Sequence, residues 1–158
     1  MKKFLSLVLC AAMVLSLVAC GSKKGGDLSP ANTLKGEFVE LAKGGKTALE
    51  IAEALVTNEI IPFAGGAMEI EPGLLAGFDN YEVKGFKSGA VFMPMIGSIA
   101  FVGYVFELEA GADANAFVNE LTANANPRWN ICVEAEETVT GTEGNMVFFC
   151  MSPLSFEE

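Results

Sequence analysis

Residues 88–111 constrain the fold most strongly, because they predict two apolar β-strands joined by a tight turn. The stretch SGAVFMPMIGSIAFVGYVFELEAG has two apolar runs on either side of Gly97-Ser98. Glycine in the first position of a two-residue loop is typical of a type II′ hairpin turn. That turn pairs Ile96 with Ile99 and sets the register of the whole hairpin. The side chains on one face, which we predict to be the core face of the sheet, are Val91, Met93, Met95, Ala100, Val102, Tyr104, Phe106 and Leu108.

The opposite face of the hairpin is also apolar near the turn. Its side chains are Phe92, Pro94, Ile96, Ile99, Phe101 and Val105. Monomers seldom expose a contiguous apolar patch of more than a few hundred Å². Two interpretations are open: the face is covered by the segment from Ile60 to Phe78, or part of it stays open as a recognition surface with Phe101 at its centre. The covering side chains would be Ile60, Ile61, Phe63, Leu74 and Leu75.

Helical patterns occur in two regions of the chain, residues 34–59 and residues 113–126. Residues 46–59 contain Thr47 and Glu50 at capping-box spacing, followed by an apolar stripe. Upstream, residues 34–42 keep a helical period, and two glycines at 44–45 separate that stretch from the next. Asp113 is a good N-cap for another helix, which ends before Pro127. Its predicted inward side chains are Ala114, Phe117, Val118 and Leu121.

The remaining segments complete an α+β order. Residues 60–80 are rich in glycine and predict a connector, with a short helical turn over 72–76. Two further strands are predicted at about 129–135 and 146–152, with a turn over 141–144 between them. The order α, β, β, α, β, β predicts a two-layer α+β sandwich, in which helices cover one face of an antiparallel sheet of about four strands.

The N-terminal residues predict export and lipid attachment. Lys2 and Lys3 precede an uncharged run over residues 4–19, which is too short for a spanning helix and fits the apolar part of a secretory signal. The sequence LVAC, ending at Cys20, looks like a bacterial lipobox, in which the cysteine is lipidated after cleavage. An ordinary signal peptide with a chance cysteine is the alternative.

These features divide the chain into three parts: a leader over residues 1–19, a lipid anchor and tether over 20–33, and one α+β domain over 34–158. The tether assignment rests on its Gly, Ser, Pro and Lys content. Without the leader the chain keeps eight basic and 20 acidic residues, a net charge of −12. Phosphate binding needs a basic face, so no nucleic-acid partner is expected.

Several stretches together resemble the small uncharacterised lipoproteins of low-GC Gram-positive bacteria, which are classed as domains of unknown function. The stretches are the lipobox leader, TALEIAEAL, LLAGFDNYEV, GADANAFVNEL, PRWNICVEAEE and GNMVFFCMS. The resemblance implies a surface lipoprotein, and it transfers no activity, substrate or catalytic residue.

The supply of reactive side chains disfavours most hydrolytic chemistry. The chain has no histidine, so Ser-His and Cys-His nucleophile pairs cannot form. Carboxylate pairs remain that could bind calcium or flank a glycosidic bond, although a solvated outer face is the plainer interpretation. They are Glu69 with Glu71, Glu107 with Glu109, and Glu134 with Glu136.

Three other groups have both a structural and a functional interpretation. In the structural interpretation, the Met93-Pro94-Met95 stretch fills the core. In the functional one, its thioethers bind Cu(I). Arg128 and Trp129, the only arginine and the only tryptophan, form a structural corner or a ligand contact. Cys132 and Cys150 are predicted to be free buried thiols, because the predicted turn places them out of register; a disulfide is the alternative.

The sequence therefore favours a lipoprotein on the outer face of the cytoplasmic membrane, held there by lipid on Cys20. We expect a non-enzymatic binding or interaction module with no cofactor, recognising a protein or a small envelope ligand. The candidate recognition residues are Phe92, Ile96, Ile99, Phe101, Arg128 and Trp129. The alternatives are a carboxylate-based envelope glycan hydrolase and a lipoprotein that binds calcium or copper.

Overall fold

The computed structural model describes residues 28–96 and 98–156. The helices are α1 (Pro30–Lys43), α2 (Ala48–Val56) and α3 (Ala114–Asn124). The strands are β1 (Gly65–Ile70), β2 (Gly73–Leu74), β3 (Glu82–Val83), β4 (Ser88–Pro94), β5 (Val102–Glu107), β6 (Glu137–Glu143) and β7 (Met146–Ser152). None of these helices has the length and apolar character needed to cross a membrane. The predicted α+β class, with helices packed against an antiparallel sheet, is confirmed.

The main sheet has five antiparallel strands in the order β1-β4-β5-β7-β6, and β2 pairs with β3 in a separate small sheet. Val91 lies opposite Tyr104, which is the register predicted for the central hairpin. The β4–β5 pairing stops at Phe92 and Gly103, however, so the ladder does not reach the predicted turn. Gly97 of that turn lies outside the described residues.

Both faces of the main sheet are buried, because β4, β5 and β7 carry apolar side chains on both sides. Helices α1 and α2 pack on the face that includes Phe92, Val105 and Phe148. Helix α3, strand β3 and residues 125–135 pack on the face that includes Tyr104 and Phe149. The main sheet thus has five strands where about four were predicted. Helix α3 lies on the face opposite α1 and α2.

The helix starts follow the capping chemistry of the sequence. Thr47 donates its N–H to the Glu50 carboxylate at 2.8 Å and its hydroxyl accepts from the Glu50 N–H, so the predicted capping box is confirmed. The Asp113 carboxylate accepts from two N–H groups at the start of α3, as predicted. Helix α1 begins at Pro30 with Ser29 as its N-cap. The predicted tether over 20–33 is therefore too long, because Ser-Pro here starts a helix whose Ala31 is fully buried.

Two regions of the chain differ from prediction. The predicted connector over 60–80 contains edge strand β1, and residues 73–74 pair with β3 where a helical turn was predicted. Residues 129–135 form a loop, and the strand that pairs with β7 is β6, joined to it by Gly144 and Asn145. The turn lies there because Gly144 adopts a positive φ of 59°.

Tyr104 ties the segment after β2 to the sheet. Its buried hydroxyl donates a hydrogen bond to the carbonyl oxygen of Ala76 at 2.8 Å. Burial raises the pKa of this phenol above its usual range. The bond holds the segment before Phe78, whose ring packs on Tyr104 and Phe149.

Candidate functional site

Exposed and half-buried apolar side chains near one end of the sheet form the candidate site, which we call the apolar tip: Met95, Ile96, Ile99, Trp129 and Ile131. Ile96 is 88% exposed and Ile131 is 97% exposed. Met95 is 72% exposed, whereas Ile99 and Trp129 are half-buried. Ile99 and Trp129 line a common cleft, which brings the loops that carry Ile96 and Ile131 together, and exposed apolar side chains on neighbouring loops are typical of interaction surfaces.

The loop that carries Met95 and Ile96 is placed by its pairing with β1. Beyond Phe92 the chain leaves β5, and the Met95 N–H donates to the Ala64 carbonyl at 3.0 Å. The Phe101 N–H donates to the Ile99 carbonyl at 2.8 Å, which starts the return to β5. Ile96 therefore lies in a loop outside the ladder, where neither sheet face can cover it.

Asn126 fixes the second loop of the tip. Its side-chain amide donates to both carboxylate oxygens of Asp79, at 2.7 and 2.8 Å, and its N–H donates to the Gly77 carbonyl at 2.7 Å. The Asn126 side-chain oxygen and main-chain carbonyl then accept from the N–H groups of Arg128 and Trp129. The loop is thus held at its base, and Ile131 extends into solvent beyond it.

A small cleft of about 110 Å³ lies between the two loops of the tip. Its walls include Met93, Ile99 and Trp129, with Asn130 as the polar lining side chain. The volume suits a single small apolar group better than a drug-sized ligand, which usually occupies several hundred Å³.

The structure separates the predicted recognition residues into buried and exposed sets. Phe92 and Phe101 are 0% and 2% exposed, so the prediction that Phe101 lies at the centre of an open surface is wrong. The Phe101 ring packs on Phe63 and Phe156, with ring centroids 5.3 and 5.9 Å apart. Ile60 and Ile61 also pack against this cluster. Leu74, 65% exposed, and Leu75, which packs on the other face, do not contribute to this cover.

Arg128 and Trp129 lie at the tip, and each has a separate partner within the described part of the chain. The Arg128 Nε forms an ion pair with Glu134 at 3.2 Å, and both side chains are more than half exposed. Trp129 packs against the apolar cluster around Tyr104. The structural interpretation of this corner is therefore the better one.

Two predicted inward or buried side chains are exposed. Met95 was predicted on the core face, but the end of the ladder turns it outward beside Gly66 of β1. Cys132 was predicted to be buried, but it lies in the exposed loop after Trp129. Cys150 is buried and free, and burial raises the pKa of its thiol. The predicted lipid site, Cys20, lies outside the described residues.

None of the glutamates of the three carboxylate pairs lines the tip cleft, and Glu107, Glu134 and Glu136 have partners of their own. Glu107 accepts from the Lys87 ammonium at 2.8 Å and from the Ser88 hydroxyl at 2.9 Å. These donors lower the pKa of Glu107. Glu136 accepts from the Leu154 N–H at 2.9 Å. Within residues 28–96 and 98–156, no group of three or more acidic or cysteine side chains could hold a metal ion.

Sequence reasoning missed Ile131 and the role of Asn126. Ile131 was assigned to a strand, although the turn-forming residues Pro127 and Asn130 around it were a usable signal. Comparison with known proteins gives no match: no family model matches the chain, and neither a curated protein nor a solved structure matches it.

Proposed function

We propose that the protein is a lipid-anchored lipoprotein on the outer face of the cytoplasmic membrane, where it acts as a non-enzymatic binding or interaction module. The observation that carries the proposal is the leader, in which two lysines, a short uncharged run and LVAC precede a folded domain. The family resemblance supports the same class. Several acyl chains on one cysteine give durable attachment.

The apolar tip is the binding surface in this proposal. Ile96 and Ile131 are almost fully exposed, and the Asn126 hydrogen bonds hold the second loop in one conformation. A preformed apolar surface binds with less loss of conformational entropy than a mobile one.

Replacement of Cys20 by alanine tests the anchor. We expect Cys20→Ala to abolish incorporation of a labelled fatty acid and to release the protein from the membrane fraction, because lipid on sulfur requires this thiol. Cys10→Ala, in the leader before the lipobox, is the matched control and should be labelled like the wild type. Equal labelling of both variants, or no labelling of the wild type, would contradict a lipid on Cys20.

A further inference from the structure

The described chain begins beside a groove at the same end of the sheet as the apolar tip. Leu28, Ile60, Pro62, Leu154 and Phe156 line this groove, which has a volume of about 720 Å³. Residues 1–27 therefore join the domain at this groove.

A continuous set of aromatic rings connects the groove to the tip. Phe156 lines the groove and packs on Phe63 and Phe101, with ring centroids 5.5 and 5.9 Å apart. Phe101 in turn lines the cleft between Ile99 and Trp129. The N-terminal attachment and the apolar tip are thus on one side of the molecule.

The two ends of the sheet differ in how many large apolar side chains they expose, although both carry charged groups, such as Glu59 and Glu136 at the N-terminal end. Strand ends and turns at the opposite end carry charged side chains, including Glu71, Lys84, Lys87 and Glu109. Among the described residues, five of the seven large apolar side chains that are most exposed lie at the N-terminal end: Leu28, Met95, Ile96, Ile131 and Leu154. Both ends consist of loops, so the folding of the sheet does not by itself require one end to be apolar.

The length of chain outside the structure keeps this end close to an anchor at Cys20. Seven residues lie between Cys20 and Leu28, so the two are eight Cα–Cα steps apart and at most about 28 Å when the chain is fully extended. A surface that carries the anchor therefore stays within about 28 Å of Leu28, which gives it a high effective concentration near this end of the domain.

We propose that the apolar tip docks on the lipid bilayer itself, with Ile96 and Ile131 inserted among the acyl chains next to the headgroups. This inference rests on the proposed function, because it takes Cys20 as the anchor. Apolar side chains at the end of a tethered domain gain burial on insertion without any change of fold. The domain then lies with its N-terminal end on the membrane and its opposite end in solvent.

Trp129, the only tryptophan of the chain, is a built-in probe for this contact. The lipidated protein is purified from membranes and reconstituted in phosphatidylcholine vesicles whose acyl chains carry bromine, which quenches tryptophan only at short range. We expect strong quenching and a blue shift of the wild-type emission. The double variant Ile96→Ser/Ile131→Ser should lower the docked fraction by at least about threefold, because it removes the inserted apolar area.

Met68→Ser is the matched control, because Met68 is 58% exposed but lies within edge strand β1, opposite Val91. It should be quenched like the wild type, and equal melting temperatures will show that all three proteins are folded. If the anchored wild type is quenched no more than the tip variant, the bilayer contact is refuted, and a second copy or a protein partner covers the tip. A protein that does not stay with the vesicles refutes the lipid anchor as well.

Discussion

Gly103 supplies a stringent test of the packing between the main sheet and helices α1 and α2. It pairs with Phe92 across the β4–β5 ladder, and the Phe92 ring lies over its Cα. A Cβ at this position would overlap three carbons of that ring. The ring cannot move away easily, because it packs on Phe101 and Phe148, with ring centroids 5.8 and 6.4 Å apart.

We therefore expect Gly103→Ala to lower the free energy of unfolding by about 1–3 kcal/mol, the usual cost of overpacking a core. Gly36→Ala is the matched control, since Gly36 lies on the exposed side of α1 and a Cβ there meets nothing within 4 Å. That change should stabilise the protein by up to about 1 kcal/mol, because alanine is the better helix former. Urea unfolding of the two variants should give opposite signs.

A double-mutant cycle assigns the cost to the Phe92 ring. Phe92→Leu makes room over residue 103, so Gly103→Ala should cost at least about 1 kcal/mol less in the Phe92→Leu background than in the wild type. A Gly103→Ala variant as stable as the wild type would refute the predicted overlap. Equal costs in both backgrounds would show that the strain comes from elsewhere.

Three further predictions follow from buried groups. Phe101→Ala should cost about 3–5 kcal/mol in unfolding free energy, whereas Ile96→Ala should change it by less than about 0.5 kcal/mol; similar losses would contradict their opposite burial. Tyr104→Phe should cost about 1–2 kcal/mol, because the Ala76 carbonyl loses its donor. Above about pH 10 unfolded tyrosine releases its proton while buried Tyr104 keeps it, so stability should fall as pH rises, and less steeply in Tyr104→Phe. Mass mapping after alkylation should find Cys132 labelled in the folded protein and Cys150 only in denaturant; a labelled Cys150 in the native state would contradict its burial.

The parts of the fold that were predicted correctly depend on local chemistry. The capping pair Thr47 and Glu50, the Asp113 cap and the apolar run of β7 each act within a few residues. The hairpin register followed from one assumed turn, and it is correct although the ladder ends before that turn. Local propensity and pattern were sufficient in these cases.

Strands β1 and β6 were missed because their pairing is tertiary. The sequence GGAMEI has two glycines and few β-branched residues, and it becomes a strand only by pairing with β4. The sequence ETVTGTE is polar because half of each edge strand faces solvent, whereas the preceding apolar stretch at 129–135 looked like the better strand. Whether a strand lies at the edge of a sheet depends on its partners, so it cannot be derived from the sequence of that strand alone.

The candidate site was predicted only in part, for a related reason. Phe101 and Ile96 have similar apolar surroundings in the sequence, but Phe63 and Phe156 cover only Phe101. Those rings come from distant parts of the chain, so the sequence pattern of the hairpin cannot separate the two residues. The exposure of Ile131 likewise depends on the hydrogen bonds between Asn126 and the segment at 77–79.

The acidity of the protein does not prevent an apolar contact at the N-terminal end. Charge repulsion from an anionic membrane is about 1 kcal/mol per charge near the surface, and it decays over a Debye length of about 8 Å. At this end Arg128 pairs with Glu134, while Glu59, Glu136 and Glu137 add three further carboxylates, a repulsion of up to about 3 kcal/mol. Insertion of Ile96 and Ile131 would contribute up to about 3–6 kcal/mol, from 1.5–3 kcal/mol for each fully buried side chain. The apolar term is therefore at least as large as this repulsion, which is absent on a phosphatidylcholine bilayer without net charge.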